Sequence, residues 1–265
     1  MLCCIFLFSL LPVSLHAVEP VRDATALVKL AVDTELKASR DDHSRWRYKD
    51  EQYELNDSVS IVVQTDAGSV KRLVARGGKP LSDAEAREEE ERLQRFIHDP
   101  SKLAKQRRDG REDDKNAADL LTMLPEAFTW HIESENATTI TLHFEPDPHF
   151  HPPNLQSRVL AAMNGILVVD KTQHRIQTIS GKLTEDVTFG FGLFGRMKQG
   201  GTFRVERRQL SPGLWQITET HVHIDGKALM FKNIGQQQDE VQTNYTPVPN
   251  GTTLEQALEM SREKH

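Results

Sequence analysis

The chain is predicted to be an α+β protein built on a long antiparallel sheet, and three observations predict it. Residues 158–234 carry five or six short runs rich in Val, Ile, Thr, Phe and Trp. Turn chemistry separates them at Lys171-Thr172-Gln173, Ser180-Gly181, Gly200-Gly201, Ser211-Pro212-Gly213 and Asp225-Gly226, where Gly and Asp tolerate the positive φ of tight reversals. These breaks stand too close together for crossover helices, which makes neighbouring strands antiparallel. Helical periodicity, by contrast, is confined to the N-terminus, a charged middle stretch and the tail.

Taken in order, Leu2 to Leu15 is an apolar block followed by His16-Ala17. It reads as a secretory signal peptide over 1–17, with Ala17 the last residue removed, and is too short for a transmembrane helix. Cys3 and Cys4, the chain's 2 cysteines, both lie inside it. The mature chain, 18–265, is therefore expected to be one domain held by packing alone, without disulfides or a thiol nucleophile, and without a transmembrane anchor. A net charge of −6 gives no reason to expect a nucleic-acid partner.

Apolar residues at Ala24, Leu27, Val28, Ala31, Val32 and Leu36 step by three and four, predicting a helix over about 20–38. Trp46 and Tyr48 alternate with Arg45, Arg47 and Lys49 as in a strand; Val59 to Thr65 and Val70 to Ala75 then form a hairpin across Asp66-Ala67-Gly68. Ser82 and Glu85 make a capping box for a helix ending at Asp99-Pro100. Two further helices are predicted over 101–108 and 116–124, the second stopped by Pro125. From Asp83 to Lys115 there are 11 acidic and 9 basic residues, so this inserted stretch (about 82–125) creates no net field. It reads as a solvated helical insertion, or as a mobile lid that uses Leu93, Phe96, Ile97, Leu120, Leu121 and Leu124. Strands resume over 127–133 and 138–145, followed by a proline-punctuated loop over 145–153 that no helix tolerates. A short helix over 253–262 ends the chain.

No phosphate-binding glycine loop and no G-x-S-x-G nucleophile signature is present, and no cofactor is expected. His149 and His151 share a two-residue spacing with His221 and His223. Together the four could ligate zinc for a metal-assisted hydrolase, although such pairs are more often solvated on strand faces. Arg204, Arg207 and Arg208 read as the solvated side of a strand, with a minority reading in which they meet anionic headgroups.

The segments DDHSRW, FEPDPHFHPP, RVLAAMNGILVVD and DVTFGFGLFGRMKQGGTF together resemble secreted bacterial proteins of the outer-membrane lipoprotein-sorting class, relatives of the periplasmic lipoprotein carrier and of the periplasmic regulator that senses outer-membrane stress. The likeness is best over 158–234. It implies a strongly curved, unclosed antiparallel half-barrel, with the N-terminal helix and inserted helices over the concave face. It further implies a non-enzymatic, periplasmic protein that holds a lipid or lipoprotein acyl chain, with an outer-membrane or periplasmic protein as a further partner.

On their own the aromatic residues leave two readings open, a cavity wall or a filled core; the resemblance favours the cavity. Its expected wall is Phe189, Phe191, Phe194 and Met197, whose interleaved glycines permit bending, helped by Trp130, Phe144, Phe203, Trp215 and Phe231. The hydrolase, and an interaction or sensor module with a filled core, stand as alternatives.

Overall fold

The structure, a computed structural model, describes residues 23–53, 57–189, 195–227 and 236–262. The expected signal peptide lies outside these residues, as do Phe191, Phe194 and Phe231.

Helix α1 (Ala24–Asp41) is capped by the Asp23 carboxylate, which accepts from the Thr25 and Ala26 N–H groups, and buries Val28, Ala31, Val32 and Glu35 on one stripe. Strands β1 (Trp46–Tyr53), β2 (Ser58–Thr65), β3 (Gly68–Arg76) and the two-residue β4 (Lys79–Pro80) follow as hairpins. The capping box of Ser82 and Glu85 starts α2 (Asp83–Ile97) as expected. The two helices expected next are one, α3 (Pro100–Ala127). Residues 107–115 include Arg107, Arg108, Arg111, Glu112 and Lys115, which are good helix formers, and the i,i+4 pairs Lys105–Asp109 and Lys115–Asp119 bracket them. Pro125 lies inside the last turn rather than ending the helix; the Trp130 indole N–H donates to the Leu124 carbonyl there, at 3.1 Å.

Strands β5 (Phe128–Glu135) and β6 (Thr139–Pro146) precede a short α4 (Leu155–Leu160). Arg158 therefore belongs to a helix, and the meander begins later, with β7 (Met163–Asp170) and β8 (Ile176–Leu183). Ser180-Gly181, expected to break a strand, lies within β8. Strands β9 (Val187–Phe189), β10 (Gly195–Met197) and β13 (Gly226–Lys227) form a small second sheet. Strands β11 (Thr202–Ser211) and β12 (Leu214–Ile224) turn at Pro212-Gly213, and the chain ends in β14 (Gln236–Pro247) and α5 (Leu254–Met260).

The main sheet has 11 strands in the order β4-β3-β2-β1-β14-β12-β11-β8-β7-β6-β5, antiparallel throughout and not closed into a barrel. Strand β14 joins the N-terminal hairpins to the C-terminal meander by pairing with both β1 and β12. The registers set Ser58, Gln52, Glu240, Thr220, Val205 and Ile179 side by side in one row on the concave face. Helix α1 and the C-terminal part of α3 cover that face over β5–β8 and bury the larger core.

Helix α2, part of the insertion expected over the concave face, lies instead with α5 on the other side. Their Leu93, Ile97, Leu254 and Leu258 pack with Ile61, Val63 and Val70, which alternate with the concave-facing residues and so point to the convex side. Arg72 fastens this back layer: it donates to Ser261 Oγ at 2.8 Å and to Glu90 at 2.8 Å. Arg262, then Arg72, hold the Glu90 carboxyl down at about 2. Helix α3 passes from one side to the other around the β2–β3 turn. There Gln106 brackets Ser69 through its N–H and C=O, at 2.9 and 3.0 Å, and Arg107 donates to the Ala67 carbonyl.

A hollow beneath two helices

Between α1, α3 and the concave face lies a hollow of about 770 Å³. The helical spacing of α3 presents Leu120, Leu121 and Leu124 to it, and Ile179, Phe203 and Val205 face them from β8 and β11. Gln64, Thr65, Ser69 and Ser44 form a polar rim on the other side, with Asp42, Arg45 and Asp114. Arg45 is itself paired with Asp66 at 3.0 Å, and Asp42 accepts from the Gln216 amide at 3.1 Å.

An ionic cluster separates the apolar end from the rim. Glu35, 3 % exposed, projects from α1 and receives both Nε and Nη2 of Arg175 at 3.0 Å, together with the Ile176 N–H at 2.8 Å. Arg207 of β11 donates to the same carboxylate. Burial acts to raise the Glu35 pKa, but the Arg175 hydrogen bonds and the Arg207 charge outweigh it, so the carboxyl is held below its ordinary value. Arg175 also donates to the Gly213 carbonyl at 3.1 Å, and its guanidinium sits 5.8 Å from the Trp215 ring centroid.

A second ionic group lies on the same face without lining the hollow. Asp50 is 1 % exposed, and Lys71 donates to its Oδ2. Its Oδ1 is buried with no hydrogen-bond partner, the Gln52 amide reaches Oδ2 at 3.5 Å, and the Glu240 carboxyl interacts with the Asp50 side chain. Burial, then the Glu240 contact, push Asp50 up to about 6. In Glu240 burial works upward, but hydrogen bonds led by that from Asp50 leave its pKa lowered. The rings of Tyr48 and Tyr245 stack beside this pair, 5.0 Å apart.

Of the residues expected to wall a cavity, Phe203 and Trp215 do line the hollow. Trp130 and Phe144 instead belong to solid core. Their rings lie 5.3 Å apart, and Phe144 is 4.5 Å from Phe128. Met197 packs partly buried against that core. Phe189 ends β9 opposite Gly195. His221 and His223 converge on Asp239 of β14, at 2.6 and 3.1 Å, whereas His149 contacts Asp147 at 3.2 Å in the proline loop. Among the described residues no three His, Cys, Asp or Glu side chains are grouped to hold a metal ion.

Arg204 and Arg208 pair with Glu206 and Glu219 on the convex side, but Arg207 turns inward, unlike the solvated row expected. Glu35 was missed by the sequence reading, although it left a signal. It stands on the same helical stripe as Val28, Ala31 and Val32, and a carboxylate on a buried stripe requires a cation opposite. Among the described residues no helix is long and apolar enough to cross a membrane. Comparison with models of protein families, with curated proteins and with solved structures finds no match for this chain.

Proposed function

We propose that this protein is a non-enzymatic periplasmic carrier or sensor that holds a lipid or lipoprotein acyl chain in the hollow beneath α1 and α3. The observation that carries the reading is the hollow itself. Its volume of about 770 Å³ lies in the range of small-molecule sites, and half of the residues that line it are apolar. Burying about ten methylenes at ~0.8 kcal/mol each is worth about 8 kcal/mol, which corresponds to micromolar binding before ordering costs. The likeness of residues 158–234 to lipoprotein-sorting proteins supports the same reading, and the apolar block over 2–15 supports export.

Native mass spectrometry and organic extraction of the purified chain test it. The expected result is an acyl-bearing molecule bound at up to one per chain, with occupancy reduced in Val205→Trp, which places an indole in the hollow. A chain that purifies empty and takes up no added lipid overturns the proposal.

A further inference from the structure

We infer that the hollow takes an amphiphile with a singly charged anionic head, carboxylate or phosphate, and that Arg207 is the residue that reads it. The inference rests on the acyl-chain reading above and adds to it the chemistry of the head.

In the ionic cluster two guanidinium groups, Arg175 and Arg207, meet one carboxylate, Glu35; Arg45, Asp42 and Asp114 line the hollow outside it. Among the described residues Glu35 is the only acid that either arginine pairs with. The cluster by itself therefore carries one positive charge in excess, on the partly exposed Arg207, where an anion can complete it.

The two arginines are not equivalent. Arg175 is 7 % exposed and spends its Nε, Nη1 and Nη2 on Glu35 and the Gly213 carbonyl. Arg207 is 21 % exposed; it gives Nη1 to Glu35 and reaches the Trp215 carbonyl with Nη2 at 3.4 Å. Its Nε–H has no partner among the described residues. A guanidinium with an uncommitted edge is suited to the oxygens of a carboxylate or phosphate.

Position along the strand supplies the rest. Phe203, Val205 and Arg207 are alternate residues of β11 on the concave face, so apolar wall gives way to the cation in two steps. A head held at Arg207 sends its chain along Val205 and Phe203 towards Leu121 and Leu160. Of the other charged residues that line the hollow, Asp114 repels an anion, Asp42 is engaged by the Gln216 amide and Arg45 is already paired with Asp66. Arg207 is thus where an anionic head is best placed.

Isothermal titration of the full chain with decanoate, decyl phosphate and decan-1-ol tests the inference, with Arg207→Met alongside. Glu35 keeps both Arg175 bonds and the Ile176 N–H in that variant, so the fold is expected to survive; Arg207→Lys, which keeps the charge without the fork, provides a second check. The expected result is an affinity for one or both anions at least about tenfold above that for the alcohol, the size of one charge-assisted hydrogen bond. That preference should be lost in Arg207→Met and reduced in Arg207→Lys. The ratio of decanoate to decyl phosphate tells which head is favoured. Equal binding of acid and alcohol, or a preference that persists in Arg207→Met, overturns the head-group inference and leaves the acyl-chain reading standing. Binding of none of the three overturns both.

Discussion

Glu35 and Asp50 are both buried carboxylates on the concave face, and their surroundings drive them in opposite directions. Glu35 is held ionised by Arg175 and Arg207. Replacing it with Gln strands Arg175 beneath α1 and should cost roughly 3–5 kcal/mol, read as a lower urea midpoint; an unchanged midpoint would mean the cluster is solvated. Because its folded pKa lies below the unfolded one, its contribution is present above the unfolded pKa of about 4.5 and is lost as pH falls through the folded value. Glu35→Gln should lack that acid-side loss. For Asp50 the sign is reversed. Its folded pKa of about 6 lies above the unfolded 3.8, so its contribution is full in acid and disappears as pH rises through about 6. The wild-type chain should therefore lose stability from this group between about pH 4 and 6. Asp50→Asn, which can donate to Glu240 at any pH, should flatten that part of the profile in thermal melts. A parallel slope in the variant would show that the slope does not come from Asp50.

At the scale of elements, the concave sheet turns on two glycines that face each other across β7 and β8. A Cβ on Gly165 would lie 2.0 Å from the Ser180 carbonyl oxygen and 2.6 Å from the Gly181 Cα, and neither atom can retreat without breaking the strand pair. On Gly181 it would meet the Phe203 ring at 2.6 Å and the Asn164 carbonyl oxygen at 2.8 Å. Gly165→Ala should cost about 3 kcal/mol or more, and Gly181→Ala somewhat less because the Phe203 ring can shift. Equal stability of both variants would contradict the close approach. Reading Ser180-Gly181 as a turn took the right residue type for the wrong reason: the glycine clears space for the Phe144 and Phe203 rings rather than reversing the chain. Strand β14 escaped notice because QQQDEVQTNYTP has almost no apolar alternation; its place between β1 and β12 is set by backbone pairing and by Glu240 and Asp239 meeting partners on its two faces. The continuous α3 was concealed by Gly110, which has nothing within 4 Å of a built Cβ. Gly110→Ala should therefore stabilise the chain by about 0.5–1 kcal/mol, measured by chemical denaturation. A loss of stability would mean that the helix is interrupted there.

Over the whole molecule, the hairpins, α1, the start of α2 and the meander were legible because each rests on local periodicity and turn chemistry. The assignment of helices to faces was not, because it depends on α3 rounding the β2–β3 turn, a contact between residues 37 apart in sequence at Gln106 and Ser69. The candidate site was half legible. Phe203 and Trp215 border the hollow, but Trp130 and Phe144 show that aromatic character alone does not separate wall from filled core. The difference lies in what packs opposite: Phe128 fills the space beside Trp130 and Phe144, while α1 and α3 stand off from β11. The claim on which the account depends, that this space receives an acyl chain, is tested most directly by tryptophan quenching with a bromine-labelled fatty acid. In a Trp46→Phe, Trp130→Phe chain, where Trp215 is the remaining indole, saturable quenching at one ligand per chain is predicted. In the converse chain, which keeps only Trp130, quenching should be weak. Equal quenching of the two indoles, or none at Trp215, would contradict the account.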